Sequence, residues 1–347
     1  MKISFVSTQA VSKALSYQLA RLQTDLVKAQ QEVSTGKYAD VGLALGARTG
    51  QAVALSRDAD RLKGLVDSNA LVSARLDATE EALTHLTSEA ETFLSALTVG
   101  GSGDTEQKVL QVTAQNMLET LTSVLNTSQN GEYIFAGVNT DIQPIKDYKA
   151  GSANKAAFDQ AFFDTFGFDQ TNPSAETITA AQMTDFLTNV VEPMFFGPDW
   201  SSNWSNATDD AITSRIALNE TAQTSVSANT AGARKLAMAS SLVADLFQGP
   251  LNENAREALV GQARTWVGEA ISDINNAQAQ LGLIQNRVDS ASERMKMQID
   301  IFKINLNDLQ GVDPYEASTR VNTLLAQIET SYALTARIQK LSLLNYL

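Results

Sequence analysis

An apolar repeat between Leu62 and Leu97 restricts the fold of this chain more than any other stretch. Counting from Leu62 in alternating threes and fours, nine of eleven positions are apolar, all but Asn69 and Thr79, whereas 44% of the chain is hydrophobic. An apolar residue every 3.5 positions is typical of a seam between packed helices, and a seam Asn favours one register at a cost in stability. The helix would be roughly 50 Å long. The repeat predicts a helical rod; the alternative is a helix of a plain globular bundle.

A second long helix is predicted from about Asn252 to about Gln310, between Gly249-Pro250 and Gly311. Its apolar positions also follow the heptad period, so it can pack along the first long helix. The residues predicted to form the coiled coil of the rod are Leu62, Leu65, Val72, Leu76, Leu83, Leu86, Phe93, Leu281, Ile284, Val288 and Met295.

Both ends of the chain are also predicted to be apolar helices. The first ends near Gly36, a plausible left-handed cap, and the last begins at Asp313-Pro314, a good start signal. Two such helices can cover only part of each other, so we infer that other copies of the chain cover the rest and that the termini are loose in a free monomer. The residues predicted to form this assembly seam are Leu15, Leu19, Leu22, Leu26, Val33, Val321, Leu324, Ile328, Tyr332 and Ile338.

The prolines and phenylalanines mark a different middle region. Four of the six prolines fall between Pro144 and Pro198, and eight of the 13 phenylalanines between Phe158 and Phe196, so long helices are expected outside this window. We expect residues 1–137 and 232–347 to be the N- and C-terminal parts of the rod, and 138–231 an inserted outer domain. The predicted fold class is mainly α: a long antiparallel coiled-coil rod with an inserted α+β domain.

Composition argues against several functions. The 26 Lys and Arg against 39 Asp and Glu give a net charge of −13, which does not favour nucleic acid or anionic lipid. There is no cysteine, so disulfides and thiolate metal sites are excluded. No run of 18 apolar residues predicts a membrane span, and the first residues do not read as a secretory signal peptide.

No catalytic, cofactor or metal site is predicted, and we expect no enzyme. The one histidine, His85, lies off the seam and is expected in solvent. The glycines after Val99 lack the lysine of a phosphate loop and follow a helix rather than a strand. Glu80 and Glu81 are adjacent on a helix and cannot face each other.

Three short motifs lie in the two flanking regions. They are Val33-Ser34-Thr35-Gly36-Lys37, Gly131-Glu132-Tyr133-Ile134-Phe135-Ala136-Gly137, and the ending Leu341-Ser342-Leu343-Leu344-Asn345-Tyr346-Leu347. With heptad helices at both ends, the chain resembles the flagellin superfamily and, within it, the flagellar hook-associated protein 3 family. The resemblance covers roughly residues 1–137 and 232–347 and leaves out the Phe-rich middle.

The resemblance implies a structural axial protein of the bacterial flagellum that joins the hook, through the first junction protein, to the flagellin filament. It implies a ring of identical copies, type III export without a cleaved signal, and a cytoplasmic chaperone on the C-terminal helix, about residues 315–347. No cofactor is implied.

Two other functions stay open from the sequence. One is a flagellin filament subunit. The other is a helical ligand-binding or adhesive module, which would need a pocket lined by Phe158, Phe162, Phe166 and Phe186.

Overall fold

The computed structural model describes residues 8–100 and 103–344, and most of them are helical. The α-helices are α1 (Thr8–Thr35), α2 (Val41–Leu45), α3 (Thr49–Val99), α4 (Asp104–Leu125), α5 (Ala153–Phe166), α6 (Ala180–Phe186), α7 (Glu192–Phe196), α8 (Ala231–Leu246), α9 (Glu253–Gln310) and α10 (Pro314–Leu344). Two antiparallel hairpins pair β1 (Ser128–Gln129) with β2 (Glu132–Tyr133) and β3 (Thr213–Ala217) with β4 (Glu220–Gln223). The predicted fold class, mainly α with long packed helices and a small α+β insertion, is confirmed.

The helix ends follow the local chemistry that the sequence indicates. Gly36 and Gly100 adopt left-handed backbone angles, φ +68° and +74°, directly after α1 and α3, which glycine does without a steric penalty. At the start of α10, the Asp313 carboxylate accepts a hydrogen bond of 2.8 Å from the Tyr315 backbone N–H, as an N-cap does.

From its Gly and Ala-Gly steps, the sequence over 38–50 predicts an irregular connector between α1 and α3, and this prediction is wrong. It contains α2 and a 3₁₀ turn at Gly46–Arg48, and α3 begins at Thr49. The Asp40 side chain accepts a bond of 2.9 Å from the Leu43 N–H, which starts α2.

The chain divides into two compact units, residues 1–64 with 295–347, and residues 65–294. In the first unit, α1 packs against α10. The predicted segments 1–137, 138–231 and 232–347 are a different division, and their boundaries stay predictions.

The second unit has one main hydrophobic core that draws on α3, α4, α5, α6, α8 and α9. α3 and α9 run antiparallel within it, because Asn69 bonds Ser292, Thr84 bonds Gln278 and the Leu97 carbonyl bonds Arg264. α4 packs along α8, of which thirteen of sixteen residues are buried.

In the middle of the chain, the sequence predicts a helix over Ala153–Phe166 and a hairpin that turns at Asn219-Glu220. The helix is α5 and the hairpin is β3–β4. The sequence also predicts a short strand over 132–137, which is wrong beyond Tyr133. Ile134 and Phe135 are buried in turns, and Ala136 is buried in an isolated bridge with Ser227. The strand ends because the Phe135 and Ala136 carbonyls bond the distant residues Ala228 and Thr208 rather than one neighbouring strand.

Candidate functional site

The terminal helices α1 and α10 form an antiparallel pair in the first unit. The Gln23 amide donates to the Tyr332 hydroxyl at 3.0 Å, and the Arg320 guanidinium contacts the Glu32 carboxylate at 3.0 Å. Glu32 is buried and also accepts from the Ala39 N–H at 3.2 Å. A buried carboxylate that lacks these partners would be costly, so Glu32 fixes the register of the pair.

The predicted assembly seam lies on this pair, and the pair covers it only in part. Ile328 is buried, whereas Val33 and Tyr332 are 43% and 51% exposed. The other members are partly buried: Leu15, Leu19, Leu22, Leu26, Val321, Leu324 and Ile338. An apolar stripe that stays half accessible is an available contact surface.

The Val33–Lys37 motif joins the ends of two helices. Lys37 and Gly311 form an antiparallel bridge, in which the Gly36 carbonyl accepts from the Val312 N–H at 3.0 Å and the Tyr38 N–H donates to the Gln310 carbonyl at 3.0 Å. The positive φ of Gly36 lets the backbone turn into this bridge. The motif therefore fixes where α1 ends relative to the α9–α10 junction.

The predicted coiled-coil positions lie on α3 and α9. In the second unit, Leu65, Val72 and Ile284 are partly buried. The other predicted positions of that unit are buried: Leu76, Leu83, Leu86, Phe93, Leu281 and Val288. In the first unit, Leu62 and Met295 are buried.

Asn69 connects this seam to the β3–β4 hairpin. It is 1% exposed, and its amide N–H₂ donates to the Ile216 carbonyl and the Ser292 hydroxyl, both at 2.9 Å. Ile216 and Ala222 of the hairpin complete a small apolar cluster on the α3–α9 seam. The hairpin is therefore a third partner of the two helices, which sequence reasoning missed because heptad spacing reports only on helix–helix contacts.

The Gly131–Gly137 motif forms a packed corner. Asn130 and Gly131 have φ +54° and +86°, and this tight turn joins β1 and β2. The Phe135 and Ala136 carbonyls accept from the backbone N–H groups of Ala228 and Thr208. Through these backbone hydrogen bonds, the motif connects the end of α4 to segments more than 70 residues later in the sequence.

A charged cluster lies at the end of α8. The buried carboxylate of Asp245 accepts from the Tyr148 hydroxyl and lies 3.4 Å from the Lys155 ammonium, which also pairs with Asp159. Burial raises the pKa of Asp245, while Tyr148 and Lys155 oppose that rise. Burial also raises the pKa of the Tyr148 hydroxyl well above its usual range.

Side chains that could suggest chemistry have structural surroundings. His85, Glu80 and Glu81 are exposed. Over residues 8–100 and 103–344, no three His, Cys, Asp or Glu side chains are grouped as a metal site would require. In the same ranges, no helix is long and apolar enough to cross a bilayer.

The four phenylalanines proposed to line a pocket pack on one another instead. The ring of Phe162 lies 5.6 Å from that of Phe186 and 4.7 Å from that of Phe166, and Phe158 lies 6.2 Å from Phe186. Such spacing is that of a packed aromatic cluster, so these rings fill their own space within the main core.

Comparison with known proteins gives the family. The sequence model of the bacterial flagellin N-terminal helical region matches residues 6–140, and that of the C-terminal helical region matches residues 265–347. No curated protein matches. A solved structure from Vibrio parahaemolyticus, described as a flagellar hook-associated protein, has a similar fold, with a TM-score of 0.53 and 11% identity over 76% of this chain and 97% of the other.

The two matches flank the middle of the chain, as the resemblance of the three motifs led us to expect. Flagellins are structural rather than catalytic proteins, and they belong to the extracellular flagellum. The chain therefore belongs to the bacterial flagellin family and is a structural protein of the flagellum.

Proposed function

We propose that the chain is a hook–filament junction protein, in which a ring of copies joins the hook, through the first junction protein, to the flagellin filament. Two features support this. The similar Vibrio parahaemolyticus structure is described as a hook-associated protein. Residues 133–137 of the Gly131–Gly137 motif, Tyr-Ile-Phe-Ala-Gly, resemble the hook-associated protein 3 family rather than flagellin itself.

One observation carries the assembly role: α10 covers the apolar seam of α1 only in part. Of the five α1 seam residues, four are partly buried and Val33 is exposed. Polar contacts at Glu32 and Gln23 join the pair, and Ala29 and Ile328 are buried. The partly exposed seam residues leave apolar surface for a neighbouring copy. In the assembly, we infer, neighbouring copies cover the seam residues.

The other partners follow from this role. Flagellin and the first junction protein would contact the two sides of the ring, and an export chaperone would cover α10 before assembly, because a half-covered apolar helix promotes aggregation. Export through the flagellar type III channel, without a cleaved signal, completes the proposal.

Electron microscopy of a strain that lacks the gene tests the function. Loss of a junction protein leaves bare hooks and sheds flagellin into the medium, and the intact gene restores filaments. If the strain lacks filaments and sheds no flagellin into the medium, the chain is instead a filament subunit. Unaltered filaments would contradict both functions.

A charge placed on the seam tests the assembly surface. Leu19→Asp should leave a folded chain that no longer restores filaments in this strain, because the charge would be desolvated against a neighbour. Gln18→Asp is the matched control, since Gln18 is exposed one position along the same helix. Equal restoration by both variants would exclude Leu19 from the interface.

A further inference from the structure

A groove of about 910 Å³ lies inside the second unit, between α4, the loop 143–150, the start of α5 and the end of α8. α4 lines it with Gln115, Glu119 and Ser123, which are spaced four residues apart and share one helix face. Gln143 and Gln248 line the other walls. Small-molecule sites usually have volumes of about 300–1,000 Å³, so the groove is large enough for an extended ligand.

The charges of the groove do not favour an anion. Its two lysines are already paired: Lys149 lies 2.9 Å from the Asp147 carboxylate, and Lys155 pairs with Asp159 and Asp245. Most lining residues carry amide, hydroxyl or carboxylate groups, and Leu118, Ala150 and Ala244 add apolar surface, so the groove suits a ligand with both polar and apolar faces.

Asp245 supplies a hydrogen-bond acceptor in the wall. Its side chain is 6% exposed, and Tyr148 and Lys155 both contact the same oxygen, Oδ2. Within the described parts of the chain, no donor reaches the other oxygen, Oδ1, and the side chains of Gln115, Glu119 and Ser123 make no hydrogen bond. Oδ1 keeps access to solvent, so water can serve as its donor, and a ligand hydroxyl in the groove would replace that water.

We propose that this groove binds a short neutral oligosaccharide, whose hydroxyls donate to Asp245 and Glu119 and exchange hydrogen bonds with Gln115, Ser123 and Gln248. Sugar hydroxyls are donors and acceptors at once, which matches a wall that mixes carboxylates with amides and hydroxyls. The absence of an unpaired lysine among the groove residues selects against acidic sugars. This activity does not depend on the junction role.

Saturation-transfer NMR on the full chain tests the proposal. Maltotriose, cellotriose and triacetylchitotriose, at millimolar concentration, are the probes, and trigalacturonic acid is the acidic comparison. We expect transfer to at least one neutral trisaccharide and a weaker signal from the acidic one. Titration calorimetry then gives the Kd of the strongest binder.

Variants on the groove wall locate the site. Glu119→Ala should weaken binding by about tenfold, since it removes a charged acceptor, and Asp245→Asn should weaken it as well. Asn116→Ala is the matched control, because Asn116 is exposed on α4 but does not line the groove. Glu119 is exposed, so that variant stays informative if Asp245→Asn unfolds. No transfer to any neutral probe, a preference for the acidic one, or unchanged affinity in Glu119→Ala would overturn the proposal.

Discussion

Gly137 is the position of the Gly131–Gly137 motif at which an added side chain meets its neighbours most closely. Its φ is +67°, and a Cβ built there would lie 2.5 Å from the Thr208 carbonyl oxygen and 2.9 Å from that of Asp210. Gly137→Ala should therefore reduce the free energy of unfolding by about 3 kcal/mol, through backbone strain and a clash with main chain that cannot rotate away. Urea unfolding monitored by circular dichroism measures this loss.

Gly167 provides the control for that substitution. Its φ is +80°, but nothing lies within 4 Å of a Cβ built there. Gly167→Ala should cost about 1 kcal/mol, the strain alone. Equal losses in the two variants would show that the contact with Thr208 and Asp210 adds nothing.

Asp245 gives the second unit a pH dependence with a definite sign. Its pKa is raised mainly by burial, so the folded chain binds the proton more tightly than the unfolded chain. The contribution of Asp245 to the free energy of unfolding is fully present below its pKa in the unfolded chain, about 3.9. It is lost as the pH rises through its pKa in the folded chain. Relative to Asp245→Asn, the natural chain should lose up to about 1.4 kcal/mol per pH unit in that window.

Urea unfolding of both chains at half-unit steps from pH 4 to pH 8 measures this difference. Lys155 and Tyr148 contact the carboxylate in the natural chain, so the variant also shifts stability by a constant amount. The informative quantity is the slope, against pH, of the difference in free energy of unfolding between the two chains. If this difference does not change with pH, or if the natural chain becomes more stable relative to the variant as pH rises, the pKa of Asp245 is not raised in the folded chain.

The contact between the β3–β4 hairpin and the α3–α9 pair depends on Asn69. Asn69→Ala should cost about 2 kcal/mol, because the Ile216 carbonyl loses its donor and the seam gains a small cavity. Hydrogen exchange at the hairpin amides should accelerate together with the loss of stability. Both quantities are measurable on the purified chain.

Thr79 is the matched comparison on the same seam. It is equally buried, but its hydroxyl bonds the Arg75 carbonyl one turn earlier on its own helix. Thr79→Val should therefore cost less than about 1 kcal/mol and leave exchange in the hairpin unchanged. Faster hairpin exchange in Thr79→Val would show that any seam defect loosens the hairpin.

These two residues also show how far the sequence alone predicts the elements. Heptad spacing predicts α3 and α9, Gly36 and Gly100 indicate where helices end, and Pro314 indicates where the last helix begins, because these signals are local. The Asn69–Ile216 contact joins residues 147 positions apart and the Glu32–Arg320 contact joins residues 288 apart, so no local pattern encodes either. The N-cap at Asp40 was a visible signal that the irregular connector prediction overlooked.

For the whole molecule, the distribution of burial predicts where the free monomer opens. Thirteen of the sixteen residues of α8 are buried, whereas among the described side chains of α1 only Ala29 and Glu32 are buried. Local opening costs less where fewer apolar contacts are lost. Amides in 10–33 and 321–338 of the monomer should therefore exchange at least about 100-fold faster than those of α8.

Assembly should slow amide exchange in the two terminal helices and so reduce their difference from α8, because neighbouring copies that cover the seam stabilise the folded helices by mass action. Amide exchange followed by mass spectrometry, on the monomer and on the chain in isolated hook–filament junctions, compares the two states. Peptides from α8 serve as the internal control, because that helix is buried already in the monomer. Strong protection of both terminal helices in the monomer would show that α1 and α10 need no neighbour, and would remove the physical basis for assembly through the seam.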